Sequence, residues 1–149
     1  MKLKFVLVPL AVLGLAVGSY AEGFSWVNPS QKNCVGYGGK IKEGKCEAEW
    51  SNAKDICSAS SARLPSILEL RKVIVDCGGV VRDYDNNKVN SSYQSCYKRE
   101  GFTFKSYWSS STHMSDSSIA WFVYFKSGGD GWNARRKTEH IVRCIKGGQ

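Results

Sequence analysis

Six cysteines, Cys34, Cys46, Cys57, Cys77, Cys96 and Cys144, set the tightest limit on what this chain can become. In a small exported domain an even cysteine count reads as a disulfide framework, here of three bridges. The competing reading, a metal site, needs close pairs such as Cys-x-x-Cys so that several thiolates reach one ion. No such pair occurs: successive cysteines lie 12, 11, 20, 19 and 48 positions apart. Those spacings suit bridges, and the same oxidising setting argues against a thiol catalyst.

Disulfides persist outside the cytosol, and the first residues supply an export route. Lys2 and Lys4 form a short positive segment, and Phe5 to Val17 is apolar apart from Pro9 and Gly14. Ser19-Tyr20-Ala21 then places small residues three and one before a cut, so residues 1–21 read as a signal peptide. The apolar run is 13 residues long, whereas a bilayer span takes roughly 20. No later segment approaches that length, and Cys34 lies too far from the cut for a Leu-x-x-Cys lipoprotein box. The expected product is secreted, periplasmic or at the cell surface, with no transmembrane segment after leader cleavage. Losing the two leader lysines takes the net charge from +8 to +6. That favours anionic partners, and export argues against nucleic acid as one of them.

The remaining chain has the length of one domain, enough to bury roughly two-thirds of its unfolded surface. Residues 22–46 are rich in glycine and polar residues and read as an N-terminal extension, with one short hairpin around Gly38-Gly39. Cys34 and Cys46 could close it into a small loop. Trp50, Ala53, Ile56 and Cys57 then follow a helical rhythm, with Ser51 or Asn52 available as its cap. A second helix is marked by Ser66 and Glu69, the S-x-x-E capping box, and by the stripe Ile67, Leu70, Val73, Ile74 up to Cys77-Gly78-Gly79.

Residues 78–106 sustain no period and read as a long irregular excursion, which Cys77 and Cys96 are well placed to anchor. Strand signals fill the last third. Residues 119–125 are a β-branched and aromatic run, apolar on both faces, which residues 107–111 precede and 141–145 follow. Ser127 to Gly131 reads as a turn. Helices followed by antiparallel strands predict an α+β domain.

Trp50, Ala53, Cys57, Leu64, Glu69 and Cys144 together resemble the C-type-lectin-like layout. A closer similarity is to the C-terminal domain family of the Legionella collagen-like adhesin. It is carried by Arg63-Leu64-Pro65-Ser66 with Glu69-Leu70, Tyr107 to Ser111, Ala120 to Phe125, and Val142 to Ile145. These four blocks cover residues from about 48 to 146, and their order is more specific than any one of them. The resemblance implies a C-type-lectin-like domain over residues 47–149, two helices packed on a twisted antiparallel sheet with long irregular loops. It also implies a Cys57–Cys144 bridge from the first helix to the last strand, and structural roles for Arg63 and Arg143. It implies export and, loosely, adhesion to sulfated polysaccharides or host surfaces. The sequence departs from that adhesin in having no Gly-x-y stalk to enforce a trimer, and in its additional cysteines.

Calcium-dependent sugar binding is not expected, because Trp132-Asn133 is followed by Ala134 where a carboxylate would be needed. Asp83 to Asn87 is oxygen-rich but lacks the glycine and terminal glutamate of an EF-hand loop, so a solvated turn is the expectation. Ser109-Ser110-Ser111 is no nucleophile elbow, and His113 and His140 are the only histidines. No catalytic residue, metal or cofactor is therefore assigned. What remains is a basic and aromatic surface. Trp132, Arg135, Arg136 and Lys137 form one segment, and Lys98, Arg99 and Lys105 flank Phe102 and Phe104 in another. Guanidinium forks pair with sulfate, and an indole can lie against a sugar ring. The expected function is a non-enzymatic binding module for an anionic polysaccharide or a cell-surface protein. The alternative is an accessory subunit of an envelope assembly without glycan binding.

Overall fold

A computed structural model describes residues 23–134 and 137–148; the leader (1–21), Arg135 and Arg136 lie outside the described residues. The domain is α+β, built on a six-stranded sheet and closed by three disulfides. A first strand, β1 (Ser25–Val27), is followed by a short helix α1 (Gln31–Gly36), whose start is capped by the Ser30 hydroxyl. The hairpin β2 (Lys40–Lys42) and β3 (Lys45–Ala48) comes next. Its turn is Glu43-Gly44 rather than the expected Gly38-Gly39. Both residues take positive φ, 50° and 73°, which is the type I′ geometry that matches strand twist.

Helix α2 (Trp50–Ala59) and helix α3 (Ile67–Asp76) are the two the sequence marks. Trp50, Ala53, Ile56 and Cys57 are buried on α2, and Ile67, Leu70, Val73 and Ile74 on α3. The Ser66–Glu69 capping box forms in both directions. On α2 the N-cap is Glu49, without a side-chain cap bond, so neither Ser51 nor Asn52 serves. The excursion of residues 78–106 is not irregular throughout. It holds α4 (Tyr84–Val89) and α5 (Ser91–Arg99), the latter capped by Asn90. Tyr93 and Tyr97, four apart on α5, are both fully buried. Two flanking asparagines and serines hid that single turn-to-turn stripe.

The remaining strands are β4 (Ser106–Thr112), β5 (Ile119–Tyr124), β6 (Gly129–Ala134), β7 (His140–Ile141) and β8 (Cys144–Lys146). The main sheet runs β2-β3-β7-β4-β5-β6, and β1 pairs with β8 in a separate two-stranded ribbon. Pairing is antiparallel except for one parallel contact, Tyr107 with Ile141. The segment expected to turn at Ser127–Gly131 turns earlier, and Gly129 already starts β6.

Alternation along β4 decides the core. Tyr107 joins Val123, Phe125 and the buried faces of α3 and α5 on one side of the sheet. Trp108 joins Ala120, Val142 and α2 on the other. Each buried indole finds a carbonyl: Trp108 Nε1 donates to Ala48 at 2.8 Å, and Trp50 Nε1 to Ser109 at 2.7 Å. Residues 22–46 contribute to this core through Cys34, and β3 spans the 46/47 boundary.

The bridges are Cys34–Cys46, Cys57–Cys144 and Cys77–Cys96. Cys57–Cys144 ties α2 to β8 across 87 positions. No helix among the described residues is long and apolar enough to cross a membrane. Loop-closure entropy makes Cys57–Cys144 the most stabilising bridge, at about 4.6 kcal/mol against about 3 for the shorter loops. Replacing Cys57 and Cys144 together by Ala should therefore lower the denaturant midpoint more than replacing Cys77 and Cys96; the reverse order would rule out this account.

Candidate functional site

The edge strand β6 carries Asp130 and Trp132 alternating with Gly129 and Gly131. The glycines leave one face of the strand bare, and two aromatic rings occupy the space. A Cβ at Gly129 would come 2.7 Å from the Tyr84 ring, and one at Gly131 2.9 Å from the Phe122 ring. The result is an open cleft of about 530 Å³ lined by Arg82, Tyr84, Phe122, Asp130, Gly131 and Trp132. That volume is within the range of small-ligand sites, roughly 300–1,000 Å³.

Trp132 is 51% exposed and Tyr84 46%. Trp132 faces its cross-strand partner Trp121 with ring centres 5.1 Å apart, and the His113 ring packs 5.3 Å from it. Arg71 of α3 lies over Trp121, 5.5 Å from its ring centre. The indole is therefore held from behind and open in front.

Charge at the cleft is organised by Asp130. Its carboxylate is fully buried and sits between two arginines. Arg71 donates through Nε at 2.6 Å and through its terminal nitrogen, and Arg82 donates through Nε at 2.6 Å. Two guanidinium groups share one carboxylate, so the cluster keeps a net positive charge facing solvent. The hydrogen bond to Asp130 pushes the Arg82 pKa up, with direct charge attraction adding to it. Arg82 itself adopts a left-handed backbone, φ 68°, and its amide donates to the Gly128 carbonyl at 2.9 Å. Asn87, buried at the end of α4, donates to the Ser127 carbonyl. These two bonds dock residues 82–87 onto the turn before β6. The Asp83–Asn87 stretch is thus the first part of a helix, not a free turn.

The residues singled out from sequence separate into different places. Trp132 is in the cleft, and Lys137 is exposed in the turn between β6 and β7. Lys98 and Arg99 are exposed in the last turn of α5. Lys105 is engaged by acids of the β2–β3 hairpin, Glu43 at 2.9 Å and Glu47 at 3.7 Å. Lys105 immediately precedes β4, and its ammonium is drawn toward the β2–β3 hairpin, whereas β6, with Trp132, lies on the other side of β4 beyond β5. Phe102 is core, under the Arg143 guanidinium at 4.2 Å, while Phe104 is half exposed. Arg82 and Tyr84, which the structure adds, gave no sequence signal: nothing in a chain of this kind links residue 82 to residue 130. Arg63 and Arg143 are structural. Arg63 forks onto Glu69 at 2.7 and 2.9 Å, and Arg143 donates to the Glu100 carbonyl at 2.6 Å.

A second cleft, about 340 Å³, lies between β1, α3 and α5. Of its carboxylates, Glu69 is taken by Arg63 and Asp76 by Lys72. Among the described residues no group of three or more His, Cys, Asp or Glu is arranged to hold a metal ion. The Ser109 hydroxyl is buried and donates to the Trp121 carbonyl. His113 Nδ1 is 3.0 Å from the hydroxyl of Ser115, a local turn contact.

The fold and this cleft define a disulfide-stapled α+β domain with an aromatic and cationic recess on the edge of its sheet. The chain belongs to the Lcl C-terminal domain family, whose model matches residues 17–146. No curated protein and no solved structure matches it. That membership suggests an adhesin-like surface module, and a disulfide-rich domain of this family fits an extracellular or surface location.

His140, on β7, is partly buried between Trp108 and Phe122, with Asn133 Nδ2 2.9 Å from its Nε2. Burial disfavours the imidazolium and pulls the pKa down to about 4 from the ordinary 6.5. The unfolded chain takes up a proton below about 6.5 and the folded one only below about 4. Stability should therefore fall as pH drops through that window, by about 3 kcal/mol in all. Urea midpoints measured from pH 7 to 4.5 should show this slope, and His140→Gln should flatten it.

Proposed function

We propose that this domain is an exported, non-enzymatic, adhesin-like module that recognises an anionic glycan through the β6 edge. The observation that carries this reading is the half-exposed Trp132 beside the Asp130-anchored arginines. An indole face takes up the apolar side of a sugar ring, and guanidinium groups take up its sulfate or carboxylate. The basic residues of the adjoining segment, Arg135, Arg136 and Lys137, extend the positive charge along the chain. Lys98 and Arg99 offer a second, separate basic spot at the end of α5. Lys105 contributes little, since its charge is balanced by Glu43 and Glu47.

The oxidised domain should be retained on immobilised heparin at low salt and released as salt rises, because exposed charges are screened within about 8–10 Å near physiological ionic strength. Trp132→Ala, and separately the triple change of Arg135, Arg136 and Lys137 to Ala, should each weaken retention by roughly three- to tenfold in affinity. A wild-type domain that flows through at low salt would sink the glycan reading. Retention untouched by both variants would move it off the β6 edge.

A further inference from the structure

We infer that Asp130 is the positioning residue of a subsite for an acidic pyranose, formed by Arg82, Tyr84 and Trp132. This deepens the reading of the β6 edge as a glycan-binding face and rests on it. The ligand class follows from what the cleft offers. Two half-exposed aromatic residues, Tyr84 and Trp132, line the same recess at the β6 edge and offer it apolar surface. The cation that lines the recess with them is Arg82, whose side chain is 54% exposed.

The orientation of that cation is set from behind. Asp130 accepts from Nε of Arg82, not from its terminal nitrogens, and no other hydrogen bond to the Arg82 side chain occurs among the described residues. The terminal amino groups remain as a free fork directed away from the carboxylate that holds them. A fork of this kind matches a sulfate or carboxylate oxygen pair. Arg71 occupies the other oxygen of Asp130 and is itself stacked on Trp121. One buried carboxylate therefore fixes the recess at two points, on the Arg82 cation and on the strand that bears Trp132. A free arginine on the surface would have to give up rotamer freedom on binding, whereas this one is already ordered.

Simple electrostatics and positioning give opposite forecasts for one substitution. Asp130→Asn removes a negative charge beside the site. If long-range attraction governs binding, affinity for a polyanion rises. If Asp130 works by holding the fork, affinity falls. We expect at least a fivefold weaker affinity for a heparin-derived tetrasaccharide by calorimetry at fixed ionic strength, with a salt dependence that is unchanged or steeper. Because removing the buried carboxylate that Arg71 and Arg82 share can destabilise the fold, Arg82→Lys is the companion variant. It keeps the net charge at an exposed position but loses the fork, and it should weaken binding to a similar degree. Two outcomes are distinguishable. If wild type does not bind the tetrasaccharide, the glycan reading fails. If wild type binds, and folded Asp130→Asn and Arg82→Lys bind equally or more tightly, the glycan reading stands and the positioning role of Asp130 is overturned.

Discussion

Tyr107 and Trp108 are neighbours in β4, both are buried, and they face opposite sides of the sheet. A strand that buries an aromatic ring on each face needs a covering layer on each. Large aromatics bury 150–250 Å² apiece, about 4–6 kcal/mol of transfer free energy each by area. Leaving either side open would forfeit one of them. Helix α2 supplies one cover and the pair α3 and α5 the other. The indole N–H groups add a directional requirement, since a buried donor without an acceptor is costly. The carbonyls of Ala48 and Ser109 meet it, and in doing so they set β3 and α2 against β4. Bridges and caps then secure an arrangement that burial has already selected.

What could be read from the sequence was local or periodic. The Ser66–Glu69 box lies within one turn, and the stripes of α2 and α3 repeat often enough to stand out. The double-sided character of residues 119–125 was visible because every position is apolar, and β5 does lie inside the sheet. Helix α5 was obscured because its buried face is two tyrosines set among serines, lysine and arginine. The first hairpin was misplaced because two adjacent glycines outcompete Glu43-Gly44 as a turn signal. Gly39 instead sits against Cys34, where a Cβ would come within 2.7 Å of the sulfur.

The candidate site divides along the same line. Trp132 and the following basic residues were legible as a segment. The recess that surrounds Trp132 was not, because its other wall comes from residues 82–84, which meet β6 through contacts between positions more than forty apart in the sequence. Its shape also depends on two absent side chains. Gly129 and Gly131 make room for Tyr84 and Phe122, and in sequence they look like any glycine-rich turn. Charge that seemed shared in the sequence is partitioned in space, with Lys105 balanced by acids at the far side of the sheet.

The pairing of β1 with β8 has a mechanical consequence. Ser25 stands opposite Lys146, so tension applied to the two chain ends would peel the ribbon open one rung at a time. The Cys57–Cys144 bond lies next in the load path, and it is covalent. Once tension reaches it, the chain it encloses is bypassed. Arg82, Tyr84, Asp130 and Trp132 all fall inside that loop. A domain tethered and pulled at its ends would lengthen there while the recess lined by these residues went unstrained.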